Sequence, residues 1–200
     1  MPSFRFPVFV SLALLVAVPA TAQLGGSARS KFLSAVKNEK NQDVTDMLAK
    51  PGNSLVNVQD PGNGDTALHI VVRRGDANYT RFLLQHGADP NIRNNDGQTP
   101  AMLAVTQGEE PCLQVLIDGK ANLNLANSRG ETPLIRAVQM RNLAMVQDLL
   151  KAGADPDQTD HIAGLSARAY AKRDTRSPVI AKLLADAPGV HKASAMGPSL

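Results

Sequence analysis

The side chains that could carry chemistry are four histidines, one cysteine and a set of aspartates, and their spacing decides what they can do. His69, His86, His161 and His191 lack the i, i+4 partner that a helical metal site or a zinc-dependent hydrolase needs. Cys112 has no second cysteine to meet, which rules out an intramolecular disulfide and a multi-cysteine metal cluster. It stands in an apolar helical stretch, as a small buried hydrophobe does. Asp60, Asp89, Asp96, Asp155, Asp157 and Asp160 fall mostly in turns, where a carboxylate accepts nearby amides. The ligand spacing of an EF-hand is absent. The glycines recur at long intervals and not within a strand–turn–helix unit, so a phosphate loop is unsupported. Neither an enzyme nor a cofactor or metal site is expected.

What positions these side chains is a repeat. Gly64-Asp65-Thr66-Ala67-Leu68-His69 returns as Gly97-Gln98-Thr99-Pro100 and Gly130-Glu131-Thr132-Pro133, with a looser echo in Gly164-Leu165-Ser166-Ala167, at spacings of 33, 33 and 34 residues. A second signal keeps step. Leu83-Leu84 precedes Gly87-Ala88-Asp89-Pro90-Asn91, Leu116-Ile117 precedes Gly119, Ala121 and Asn124, and Leu149-Leu150 precedes Gly153-Ala154-Asp155-Pro156-Asp157. A period of this length means stacked supersecondary units, each with an apolar face that only a neighbour can bury. The 200 residues are 43% hydrophobic but only 4% aromatic, which suits thin layers bridged by Ala, Val and Leu better than one thick core.

The motif set resembles the ankyrin repeat family over residues 30–187. The resemblance implies an all-α solenoid of about five stacked helix pairs with short hairpin-like loops. The approximate repeats are 30–59, 60–93, 94–126, 127–159 and 160–187. Helices are expected at 66–73, 76–85, 99–106, 110–118, 132–140 and 142–151, with a cap pair at each end. The terminal repeats depart toward polarity, as repeats with one unpartnered face must. Lys31, Lys37, Asn38, Glu39, Lys40 and Asp43 mark the first, and Arg168 replaces a leucine in the last. His69 matches the histidine of the family's Thr-Pro-Leu-His pattern, whose ring there ties neighbouring loops together. Met102 and Ile135 stand in its place one and two repeats later, Ala101 replaces a leucine, and Lys120 interrupts a Gly-Ala pair. The third repeat is therefore expected to be the weakest layer.

Outside the repeats, residues 1–22 read as a secretory signal, with Arg5 in a short n-region, an apolar run from Pro7 to Pro19 and a cleavage site at Ala20-Thr21-Ala22. The run is shorter than the roughly 20 residues that cross a bilayer, so no membrane insertion of the mature chain is expected. Residues 23–29 read as a flexible lead-in and 188–200 as a disordered tail. The whole resembles an exported bacterial ankyrin repeat protein, located in the periplasm or secreted after cleavage near Ala22. The formal charge is +3, and loss of the leader with Arg5 leaves +2. A nucleic-acid binder needs a more concentrated basic surface.

For function the resemblance offers a surface. In ankyrin proteins the hairpin tips and the outward side of the first helix of each pair line a concave groove. Matched onto this chain, the partner-binding candidates are Asp65, Arg73, Arg74, Arg93, Asn95, Asp96, Gln98, Arg129, Glu131, Gln139 and Met140, with Arg173 and Asp174 in the last layer. Arg73, Arg93 and Arg129 stand on successive layers close to Asp65, Asp96 and Glu131. Mixed charge of this kind suits a protein partner better than a polyanion. The expected function is non-enzymatic protein–protein recognition by a chain that is monomeric alone. The alternative is a protective or immunity-like protein that neutralises or stabilises a companion protein, as in oxidative-stress defence.

Overall fold

The computed structural model describes residues 20–50 and 54–189. Among them ten α-helices form five consecutive pairs: α1 (Ala20–Lys37) with α2 (Asn41–Leu48), α3 (Ala67–Arg73) with α4 (Ala77–Gln85), α5 (Pro100–Gln107) with α6 (Glu110–Asp118), α7 (Pro133–Gln139) with α8 (Leu143–Lys151), and α9 (Ala167–Arg173) with α10 (Pro178–Asp186). The odd-numbered helices pack on one another in an unbroken row, and in the second row α4 packs on α6 and α8 on α10. No strand forms among the described residues, and a single isolated antiparallel bridge joins Thr159 to Ser166. The fold is the all-α repeat solenoid that the period implies.

Each odd-numbered helix after the first starts the same way for the same reason. Thr66, Thr99, Thr132 and Ser166 precede it in extended conformation. The hydroxyls of the last three accept the amides of Met102, Ile135 and Ala169, satisfying one of the donors that a helix start leaves orphaned. Pro100 and Pro133 sit in the first turn, where a missing amide costs nothing. Asp76 and Asn142 cap two of the even-numbered helices through the amides of Tyr79 and Met145. These signals are local, and the expected helix limits agree with the structure to within one residue at each end.

The first helix differs. It begins at Ala20, so the stretch 23–29, expected as a flexible lead-in, is helical, and the expected cleavage point after Ala22 falls inside it. Most residues there favour a helix, and one already nucleated at its docked end extends at little cost per residue, even through Gly25-Gly26. The remainder of the expected leader, up to residue 19, lies outside the described residues, as does the expected tail from residue 190.

The buried apolar side chains fall into two clusters. The smaller gathers Phe32, Val36, Val44, Leu68, Val71 and Leu83 from α1 to α4. The larger runs from Val72 through Leu103, Leu116, Leu134 and Leu149 to Leu184, and Leu84 packs against both. The third repeat is not thinly packed, since every residue of α5 from Pro100 to Val105 is buried. The division falls one interface earlier, between the second and third repeats. Leu83, Leu116 and Leu149 are each fully buried, as three equivalent positions of one period should be. Cys112 is also fully buried, with the Thr80 hydroxyl 3.9 Å from its sulfur, and burial pushes its thiol pKa up. It is a packing residue.

Candidate partner-binding surface

Between helix pairs the chain folds into hairpins closed by backbone bonds. Asp60 N–H donates to the Asp65 carbonyl at 2.9 Å, Asn94 to Gln98 at 2.9 Å, Asn127 to Glu131 at 2.9 Å and Asp160 to Leu165 at 3.1 Å. The tips are joined in turn. The amides of Asn95, Ser128 and His161 donate to the carbonyls of Asn63, Asp96 and Arg129 at 3.0, 3.3 and 2.9 Å. Glycine makes this approach possible. Gly64, Gly97 and Gly130 have positive φ, and a Cβ on each would stand 2.7, 2.7 and 2.6 Å from the next tip's amide nitrogen.

A second ladder ties the far ends of the repeats. The side-chain carbonyls of Asn57, Asn91 and Asn124 accept the amides of Asp89, Asn122 and Asp155 at 2.8, 2.7 and 2.7 Å. His69 adds a tie from helix to hairpin. The Thr66 amide donates to its Nδ1 at 3.2 Å, so Nε2 carries the proton and donates to the Gln98 carbonyl at 2.9 Å. Burial lowers the His69 pKa below 6.5, outweighing the Gln98 bond and nearby Asp65 that push it up. The ring is neutral and structural, as the family pattern implies.

The structure divides the expected partner-binding residues into three groups. Asp65 and Glu131 are not available, being only 3% and 8% exposed. Asp65 accepts from Asn63, Arg73 and Asn94 side chains, and Glu131 accepts from Asn127 and pairs with Arg129 at 3.0 Å. Both carboxylates lock their own hairpins, because a short acid at a hairpin end reaches nearby donors before a partner can. Arg74 faces away from the hairpins. Its guanidinium donates to the Val36 carbonyl at 3.2 Å, pairs with Glu39 and Asp76, and lies 5.8 Å over the Tyr79 ring. A helix turns about 100° per residue, so only one of two adjacent arginines can face the hairpins, and that one is Arg73.

The second group is exposed but engaged. Arg73 and Arg129 are paired with Asp65 and Glu131, Asn95 donates to the Gly62 carbonyl at 3.1 Å, and half-buried Gln139 accepts from Arg136 at 3.3 Å. Half-buried Gln98 supplies its carbonyl to His69. The third group is exposed and has no side-chain hydrogen bond or ion pair among the described residues: Arg93, Asp96 and Met140. Arg93 and Asp96, expected to neutralise each other, do not pair.

Beyond them, two arginines absent from the expected set matter. Arg141, Arg173 and Arg176 line a cleft of about 410 Å³ between the C-terminal ends of α7 and α9, together with Val138, Tyr170 and Asp174. Arg141 holds the position of Gly108 and Gly75, one and two periods earlier, and like them has positive φ. That departure from the repeat was the signal available in the sequence. A larger cleft of about 510 Å³ lies at the N-terminal cap, and the Lys37–Asp60 ion pair, 2.8 Å long, is part of its lining. Arg168 closes the other end of the stack. It grips Asp157 through two nitrogens and donates to the carbonyls of Leu184, Ala185 and Ala187, meeting the acceptors at the end of α10 that have no helical partner.

Among the described residues no group of three His, Cys, Asp or Glu side chains could hold a metal ion, and no helix is long and apolar enough to cross a membrane. A family model of ankyrin repeats, three copies long, matches residues 32–124 and again 86–160. The chain belongs to the ankyrin repeat family. It is an ankyrin scaffold of the kind that mediates protein–protein contacts, with no catalytic motif among the described residues. The chain is similar to the oxysterol-binding protein homolog 1 of Saccharomyces cerevisiae, 32% identical over 46% of this chain and 8% of that protein. It is similar also to the 2-5A-dependent ribonuclease of Homo sapiens, 38% identical over 34% of this chain and 9% of that protein. A putative ankyrin repeat protein of Rickettsia felis is 48% identical over 22% of this chain and 21% of its own length. The matches span less than a quarter of each of these relatives.

Proposed function

We propose that the protein is a recognition module that holds a protein partner along the exposed face of its hairpins, after export to the periplasm or beyond. The observation that carries this reading is the tip ladder. One backbone bond per repeat holds Arg93, Asn95, Asp96, Ser128 and Arg129 in register on the surface. A preorganised row of this kind avoids the ordering cost that a flexible loop meets on binding, and stacking extends it over several repeats. The order of Arg5, the apolar run from Pro7 to Pro19 and Ala20-Thr21-Ala22 supports export. Cleavage after Ala22 leaves Phe32, Leu33 and Val36, the packed part of α1, in place.

The test begins with capture of a partner by the mature chain from an envelope extract of its host, followed by calorimetric titration. Arg93→Glu reverses a charge that no ion pair among the described residues uses, so circular dichroism should be unchanged while affinity falls about tenfold. Undiminished affinity in the folded variant would move the site off the hairpin face. N-terminal sequencing of the protein recovered from its host should begin at or near Gln23. A mature form that still starts at Met1 would remove the export half of the proposal.

A further inference from the structure

The arginines find acids in unequal measure along the stack. At the second and fourth repeats the local carboxylate is nearly buried and matched one to one, Arg73 with Asp65 at 2.9 Å and Arg129 with Glu131 at 3.0 Å. At the cleft between α7 and α9 three guanidinium groups face one carboxylate. Both oxygens of Asp174 are already taken, Oδ2 by Arg141 Nε at 2.6 Å and Oδ1 by Arg176 Nε at 3.2 Å, and the Arg176 amide also donates to Oδ1 at 3.1 Å. Arg173 is exposed, and its side chain has no hydrogen bond or ion pair among the described residues. The Tyr170 hydroxyl is spent on Asp160 at 2.5 Å. The cleft therefore holds three cations against one anion, with the Arg173 guanidinium left over.

The rim supplies a second kind of contact. Met140, between the lining residues Gln139 and Arg141, is 40% exposed, whereas Val138 in the lining is itself buried. An apolar side chain beside unneutralised guanidinium groups matches a ligand that carries both an aliphatic group and a carboxylate. A guanidinium presents two parallel N–H donors that match a carboxylate's two oxygens. Phosphate-rich polymers fit less well, because Asp174 stands among the arginines.

We propose that the cleft between the C-terminal ends of α7 and α9, apart from the hairpins, is a docking point of this module, and that it takes an acidic side chain from an extended segment of a protein partner whose neighbouring residue is aliphatic. This rests on the reading of the chain as a protein-recognition module and says where beyond the hairpins, and by what chemistry, a partner is anchored.

The probe is a fluorescein-labelled peptide of alternating Glu and Leu, with the matched Gln and Leu peptide as its control, titrated into the whole chain and followed by anisotropy. The acidic peptide should bind, weaken as salt is added, and lose at least about tenfold in affinity with Arg173→Glu, while Arg81→Glu, at an exposed position of α4, changes nothing. If the charge reversal unfolds the chain, Arg173→Gln removes the same cation without adding a charge and should still weaken binding. Equal binding of the two peptides, no binding of either, or indifference to both Arg173 variants would overturn the proposal. So would equal displacement of the peptide by inorganic polyphosphate, which would make the cleft a polyanion site. With the captured partner, loss on Arg93→Glu but none on Arg173→Glu would sink the docking point and leave the hairpin-face reading standing. Indifference to both would remove the two together.

Discussion

The apolar side chains of the first two repeats form one cluster, and those of the third to fifth form another, with Val72 and Leu84 at the join. Polar ties concentrate at that join, although α3 packs on α5 there as α5 packs on α7 one interface later. The interface between the second and third repeats carries the His69–Gln98 bond, the Asp65–Asn94 bond and the Gln59–Arg93 bond in addition to the two ladders. One interface later, fully packed Met102 and Ile135 occupy the histidine's position, and Ala101, Leu103, Ala104, Leu134 and Ile135 sit in one continuous cluster. The chain thus joins its repeats by helix packing throughout and, at the seam, by side-chain hydrogen bonds as well. A buried polar tie fixes geometry and is costly to break, whereas packing tolerates more change in residue type.

The largest test of this difference uses matched cavities on either side. Leu83→Ala and Leu116→Ala each remove a fully buried side chain and should each cost about 2–5 kcal/mol in urea denaturation. Hydrogen exchange should then separate them, with protection lost first in α1 to α4 for Leu83→Ala and in α5 to α10 for Leu116→Ala. Uniform loss across both would mean that the two clusters act as one core.

A smaller effect is expected when the seam is made to resemble its neighbour. His69→Met copies the residue found at position 102 but strands the Thr66 amide and the Gln98 carbonyl, at a cost of about 1–3 kcal/mol. A neutral result would show that the seam does not need its polar tie.

Lys120 sharpens the comparison from the other side. It has φ 61°, where Gly87 and Gly153, one period away on either side, have 83° and 89°. Lys120→Gly should relieve the left-handed strain and stabilise by about 1 kcal/mol. Gly87→Ala should lose about as much from backbone alone, since no atom lies within 4 Å of its Cβ. Matching midpoints for variant and parent would put the strain elsewhere.

The weakest effect is a pH dependence. Burial lowers the His69 pKa in the folded chain below the 6.5 of a free imidazole. As pH falls through 6.5 the unfolded chain takes up the proton first, so the contribution is complete above that pH and is lost below it. At about pH 6 the loss should be under about 1 kcal/mol, and His69→Met should abolish the slope. A slope that survives in the variant would assign it to another group.

Repeat length, helix limits, capping residues and the role of His69 were legible in the residues alone. Each depends on a few positions close in sequence, read again one period later, and repetition averages out the ambiguity of any single stretch. Arg168 was legible as a capping departure, though not what it caps. The binding surface was legible only as a set of positions. Spacing shows which face a side chain leaves from, but what it meets comes from the neighbouring repeat or from its own hairpin's closure. Asp65 and Glu131 turned inward because their hairpins offered amides and guanidinium groups within reach. Arg74 turned to the first cap, because its helical neighbour already occupied the hairpin side. Asp174 became shared between two arginines because Arg141 reaches it from the preceding repeat while Arg176 meets it within its own loop. Hydrogen-bond partners about 30 residues away are set by how the layers stack, and that only the tertiary structure decided.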